Sequence, residues 1–451
     1  MKRIFGTLLL LLITATSYGK GPKYIFYFIG DGMGPSHVLG TELYLGELQG
    51  VIGRPQKLCF TQFPESAFVT TYSATNGVTD SAASGTALST GSKTYNSAIG
   101  VDCDTLPVYS VAAHLAAKGM AIGVATTVPI NHATPSAFYA HNMSRHNYDS
   151  IAPWMLKAGY DFYAGGDVKG SSETRDIVYG KAQEQGYAIA RGYSDYKKKA
   201  GTAEKMMLYQ EKVSTELPYA INRNSNDLTL AQITAAGIDF LDGKSKKGFF
   251  MMIEGGKIDW GCHANDPVFI TELIDMDNAV KVAYEFYQQH PDETLIVITA
   301  DHETGGLALG RGPYELNLKA VASQRMSMVK LERELKAKKA KLGDKFTWEE
   351  GKKFLTDNFG FWGDVKVSDD QASRLERSFK EFMEKNDPGR LSGTVKRVIS
   401  ECALIGWQSG GHSNGYVPAF AIGVGAEQFH GRFDNTEICK KMAKAAGWEI
   451  K

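Results

Sequence analysis

The sequence predicts an α/β fold: a mostly parallel central sheet with helices on both faces, carrying a charged helical insertion near residues 310–400. Three observations predict it. Continuous apolar runs of strand length alternate with helical patterns, as strands buried on both faces do. Four of those runs lead directly into clusters of Asp, Glu, His, Thr and Gly, and ligands in such sheets bind beyond the carboxyl ends of the strands. A chain of 451 residues, 43% apolar and 22% charged, can bury a large core.

In chain order, residues 1–19 read as a secretory leader. Lys2 and Arg3 precede the apolar stretch Leu8–Ile13, and the small residues Ala15, Ser17 and Gly19 follow. That stretch falls short of the ~20 residues a membrane span needs. The expectation is an exported protein, periplasmic or extracellular, with no membrane span after cleavage, folded as one domain over residues 20–451. Tyr24–Ile29 is the first strand and delivers Gly30-Asp31-Gly32. The segment 78–87 (VTDSAASGTA) opens a helix, with Asp80 as its natural N-cap. A helix over Val108–Lys118 precedes a strand over Ala121–Thr127, which feeds the loop 131–136. The strand Phe249–Ile253 ends at Glu254-Gly255-Gly256. A helix over Pro267–Gln289 and the strand Leu295–Thr299 lead to Ala300-Asp301-His302, and Pro418–Val424 is the last strand. Within the insertion, Lys330–Lys341 and Gln371–Lys385 are helical in pattern. Glu332 and Glu334 interrupt the basic run, which reads as a solvated helix face.

Composition excludes several classes. Fifty basic residues balance fifty acidic ones, which argues against a nucleic-acid partner held by bulk charge. Five cysteines (Cys59, Cys103, Cys262, Cys402 and Cys439) are too few and odd in number for a disulfide framework.

The chemistry lies in the strand-end clusters. Asp259 and His263 are spaced i, i+4 on one helical face, a pairing that suits Zn2+. Glu254, Asp301-His302, His412 and Asp31 add carboxylates and imidazoles beyond what one ion needs. Buried carboxylates are costly unless paired or metal-bound, so two or more divalent cations are the economical reading. Such a set suits phosphoryl transfer, and Ser81, at a small-residue helix start, is the candidate nucleophile.

Six segments in order (FIGDGMG, VTDSAASGTA, NHATPSAF, EGGKIDWGCH, TADHETGG and GGHSNG) resemble the alkaline phosphatase family, from about residue 23 to 425. The resemblance implies an enzyme that hydrolyses phosphate monoesters through a phosphoserine on Ser81. It implies one zinc site of Asp31, Asp301 and His302 with the Ser81 oxygen, and a second of Asp259, His263 and His412. A third site, for one Mg2+, would use Asp31, Thr134 and Glu254. His132 stands beside this third set where some relatives carry Asp, and Trp260 follows Asp259 where some carry Lys. Arg145 matches the phosphate-binding arginine of the family; many relatives are homodimers, an assembly the resemblance leaves open for this chain because no self-complementary patch marks the sequence. Phosphodiesterases and sulfatases that share the metal core use Thr or a modified Cys where Ser81 stands. A non-catalytic binding protein would need a broken ligand set, and every position is filled.

Overall fold

Tyr24–Ile29 (β1) is six apolar residues, all buried, and successive side chains of a strand point to opposite faces. Both faces of β1 are therefore covered. The structure, a computed structural model, describes residues 21–312 and 314–450, so the leader expected at 1–19 lies outside the described residues. The remaining strands are Glu65–Thr70 (β2), Ala121–Pro129 (β3), Phe162–Gly166 (β4), Tyr187–Arg191 (β5), Lys205–Tyr209 (β6), Phe249–Glu254 (β7) and Thr294–Thr299 (β8). They continue with Glu303–Thr304 (β9), Leu307–Leu309 (β10), Ile405–Trp407 (β11), His412–Ser413 (β12), Val417–Gly423 (β13) and Gly431–Asp434 (β14). Ten of them form one sheet in the order β14-β2-β13-β8-β1-β7-β3-β4-β6-β5. Every pairing in it is parallel except those of β13, which runs against β8 and β2.

Register decides where the chemistry gathers. Ile29 of β1 is level with Glu254 of β7 and Thr299 of β8, and Thr126 of β3 is level with Glu254. The four neighbours β8, β1, β7 and β3 thus present their carboxyl ends in one row. The antiparallel β13 starts at that same edge, which lets the preceding residues, His412 included, arrive there too.

The expected elements are present with shifted ends. The helix expected from Val108 starts at Val111, because the Ser110 hydroxyl accepts the Ala113 N–H at 3.1 Å and caps it. The helix expected from Pro267 starts at Phe269. Strands β2, β4, β5, β6 and β14 are additional to those expected, β6 included although its residues 206–209 are apolar and buried. They occupy the flanks of the sheet, and β2 exposes alternate residues, Phe68 among them.

Between β10 and β11 lie the helices Met328–Leu342, Trp348–Phe359, Asp369–Lys385 and Gly389–Cys402. On Met328–Leu342 the residues Leu331 and Leu335 are buried, four apart, while Lys336 and Lys341 are exposed. The buried Asp266 carboxylate ties this segment to the sheet scaffold. It accepts the Met328 N–H and the Gln324 Nε2–H, each at 2.8 Å, and the Val268 N–H at 3.2 Å. The five cysteines are unpaired, and Cys262 is fully buried. No described helix is long and apolar enough to cross a membrane.

Asp266→Ala should destabilise the protein by about 3 kcal/mol, since it strands buried donors that each cost ~1–3 kcal/mol. The shift in urea midpoint measures this, and Asp266→Asn, which keeps one acceptor oxygen, should recover part of it.

Candidate metal centre and active site

Ser81 is the first residue of the helix Ser81–Thr90, and Asp80 caps it by accepting the Ala83 N–H at 3.0 Å. The run of small residues lets this helix sit on the turn that carries Thr134. A Cβ added at Gly85 would meet Thr134 Cα and Ala137 Cβ at 3.3 Å. The turn after β1 is equally tight: Gly32 has φ +75, and a Cβ there would lie 2.8 Å from Asp259 Cα. Glycine at 32 therefore lets Asp31 approach the helix Lys257–His263.

Three groups of donors result. The first surrounds Ser81: His302 Nε2 is 3.2 Å from Ser81 Oγ, 3.2 Å from Asp301 Oδ2 and 3.4 Å from Asp31 Oδ1. Asp301 Oδ1 is fixed by the Gly32 and His302 N–H groups at 3.1 and 3.0 Å. That leaves Oδ2, and both oxygens of Asp31, buried without a hydrogen-bond partner.

The second group is Asp259, His263 and His412. His263 Nδ1 lies 2.7 Å from Gly410 O, and His412 Nδ1 lies 2.8 Å from Thr79 O. A carbonyl only accepts, so both Nδ1 atoms carry protons. In the neutral rings both Nε2 atoms then bear lone pairs, yet they stand 3.2 Å apart. They face Asp259, with Oδ2 3.2 Å from His263 and Oδ1 3.7 Å from His412. A shared positive charge reconciles this crowd, either a proton or a metal ion. The His302 and His412 rings stack with centroids 3.5 Å apart, which joins the two groups.

The third group is Asp31, Glu254, His132 and Thr134. Glu254 Oε2 accepts the Thr126 hydroxyl, while Glu254 Oε1, Thr134 Oγ1 and His132 Nδ1 are buried and unpaired. Donor atoms of Asp31, His132 and Glu254 lie within 4.8 Å of one another, as do those of Asp31, Asp301 and His302 and those of Asp259, His302 and His412. The orphaned oxygens of Asp31, Glu254 and Thr134 form a hard donor set, which fits a Mg2+-type cation. The imidazole-containing sets fit zinc.

Electrostatics point the same way. Burial, then the neighbouring carboxylates Asp301, Asp259 and Glu254, push Asp31 well above the usual range. Burial and Asp259 raise Asp301 to about 8, and burial raises Glu254 to about 7. A bound cation reverses that logic and lets all three ionise. Burial works against ionisation of Asp259 too, but the His263 hydrogen bond and the histidine charges hold its carboxyl below the usual range. The same hydrogen bond raises His263 to about 9. Burial, then Arg145, lowers His132 to about 3, so it is a neutral imidazole.

Arg145 reaches this region by two contacts: Nη1 to Asp80 Oδ2 at 3.1 Å, and Nη2 to His132 Nε2 at 3.2 Å. Guanidinium only donates, so His132 Nε2 is the acceptor. All residues singled out from the sequence thus converge: Ser81, Arg145, Asp31, His132, Thr134, Glu254, Asp259, His263, Asp301, His302 and His412. Motif reading gave no role to Thr304, which hydrogen-bonds Asp259, or to the Asp80 contact with Arg145. Both stand inside quoted motifs, but neither type advertises its partner. Among the histidines without a ligand position, His37 is fully buried and accepts the Gly34 N–H at 3.1 Å.

A family model described as alkaline phosphatase matches residues 22–204 and 166–448. Alkaline phosphatase 4 of Bacillus subtilis (strain 168) is 32% identical over 434 residues, covering 92% of this chain and 87% of its own. The cold-active alkaline phosphatase of a psychrophilic Shewanella sp. superposes with a TM-score of 0.81 at 32% identity, covering 94% of this chain and 99% of its own. Alkaline phosphatase from the Antarctic bacterium TAB5 superposes with a TM-score of 0.68 at 28% identity, covering 95% of this chain and 100% of its own. A variant of the TAB5 enzyme with one histidine replaced by aspartate has Mg bound in the M3 site.

Free Zn2+ about 1,000-fold above its Kd should stabilise the fold by about 4 kcal/mol. The proton on His263, held up to about pH 9, has to leave before Nε2 accepts a cation. Apparent zinc affinity should therefore rise with pH, by up to about tenfold per unit, and level off above 9. Thermal melts in metal-buffered solutions across this range check both; a pH-independent affinity contradicts the His263 assignment.

Proposed function

The chain belongs to the alkaline phosphatase family and is a phosphoric monoester hydrolase; on that premise we propose that it is a metal-dependent enzyme working through a phosphoserine on Ser81. The observation that carries this reading is the position of Ser81 Oγ, 3.2 Å from His302 Nε2, at a capped helix start inside the carboxylate–imidazole groups. We assign one Zn2+ to Asp31, Asp301 and His302 with Ser81, and a second to Asp259, His263 and His412. One Mg2+ goes to Asp31, Thr134 and Glu254, with His132 beside it. When bound there, these ions would supply Lewis-acid stabilisation of the attacking and leaving oxygens.

The chain's own residues do the rest. Arg145, anchored by Asp80 and His132, offers two donors to the phosphoryl oxygens, as a planar guanidinium can. The N-terminus of the helix Ser81–Thr90 adds favourable dipole and N–H groups for an anion. Ser81 Oγ attacks phosphorus in line, the P–O bond to the alcohol breaks, and the alcohol leaves. Water then attacks the phosphoserine, releasing inorganic phosphate and restoring the Ser81 hydroxyl. The leader-like segment 1–19 supports export to the periplasm or beyond. Exposed Phe68, Tyr72 and Tyr416, with Phe68 and Tyr416 in ring contact at 5.9 Å, support a homodimer.

Comparing release of p-nitrophenol from the phosphate monoester, the bis-ester and the sulfate, with and without chelator, tests the reading; a preference for bis-ester or sulfate overturns it. Ser81→Ala should keep the fold but lose most activity, and acid quenching of wild type with labelled substrate should leave phosphate on Ser81. Arg145→Ala should weaken phosphate inhibition by about 1.5–3 kcal/mol, the value of a lost charged hydrogen bond. The inhibition constant reads this directly. His132→Asp adds a carboxylate beside the hard set and should tighten Mg2+ binding measured by equilibrium dialysis.

A further inference from the structure

Thr304 lies on β9, fully buried, directly across from His412 of β12. Its hydroxyl oxygen is 2.5 Å from Asp259 Oδ1 and 3.2 Å from His302 Nδ1. A hydroxyl has one proton to give and lone pairs to accept with, whereas a carboxylate only accepts. Thr304 therefore donates to Asp259 and accepts the Nδ1–H of His302. This fixes the His302 tautomer with the Nε2 lone pair directed at Ser81, Asp31 and Asp301. It also holds Asp259 so that its two oxygens face His412 and His263. One side chain bonds a member of each of the first two groups.

The hydroxyl is confined on its other sides. The Thr304 N–H donates to Gly32 O at 3.2 Å, and a Cβ at Gly32 would lie 2.9 Å from Thr304 Oγ1. The turn that carries Asp31 thus packs directly on this hydroxyl.

We propose that Thr304 is a positioning residue that couples the two zinc sites, setting the affinity of both through His302 and Asp259. The proposal rests on the two-zinc reading above. Partners that orient metal ligands are worth about 10–100-fold in metal affinity.

The test compares wild type with Thr304→Val, which keeps volume and removes the hydroxyl, and Thr304→Ser, which keeps the hydroxyl and removes a methyl. Zinc content is measured after dialysis against graded chelator, and visible spectra are recorded on Co2+-loaded protein. Thr304→Val should release both zinc ions at roughly ten- to hundredfold lower chelator and shift the Co2+ bands. Thr304→Ser should match wild type in both measurements. A packing role predicts the reverse order, because only Thr304→Ser leaves a void. Retention of zinc by Thr304→Val, or loss of one ion only, overturns the coupling. Should Thr304→Val not fold, Thr304→Ala removes the same hydroxyl, and zinc retention there overturns it too. Absence of zinc from wild type marks failure of the two-zinc reading itself.

Discussion

Four carboxyl groups, Asp31, Glu254, Asp259 and Asp301, are buried together at one edge of the sheet. Removing so many carboxylates from water is prohibitive unless positive charge joins them. That constraint organises the rest of the molecule. It explains why Thr299, Ile29, Glu254 and Thr126 lie level on β8, β1, β7 and β3, why glycine occupies 32, and why three histidines turn their Nε2 atoms inward. Neutral imidazoles and ionised carboxylates make good metal ligands and poor neighbours without one.

Arg145 answers to a different balance. Its guanidinium sits between Asp80, which also caps the Ser81 helix, and His132, which belongs to the third donor group. A hydrogen-bonded chain thus runs from Asp80 through Arg145 to His132 and links the Ser81 helix to the third donor group. Held at both ends, the side chain has less freedom to lose when an anion arrives.

The helical segment between β10 and β11 is placed by the same edge. β10 pairs with β11, and just beyond that neck β9 pairs with β12, bringing His412 opposite Thr304. His302 immediately precedes β9, so closing this narrow ribbon docks His412 against the His302 ring. A long excursion in the chain thereby returns one imidazole to the other. Asp266, through the two hydrogen bonds it accepts from Gln324 and Met328, fixes the excursion to the scaffold at a second point.

The sequence by itself determined the buried strands and the residue types at their ends. Continuous apolar runs such as Tyr24–Ile29 and residues 249–253 can be satisfied only where both sheet faces are covered, and Asp, Glu and His at or just beyond their ends carry their chemistry in their side chains. The flanking strands escaped, because β2 alternates exposed and buried residues and its pairing with β13 forms across most of the chain. Only the tertiary structure decided that β13 runs antiparallel, that His412 meets His263 across 149 positions, and that Thr304 joins the two groups. The reason is physical: a local pattern fixes what a residue would rather bury or bond. Which partner it meets depends on strand order and on a hairpin closed over a long insertion.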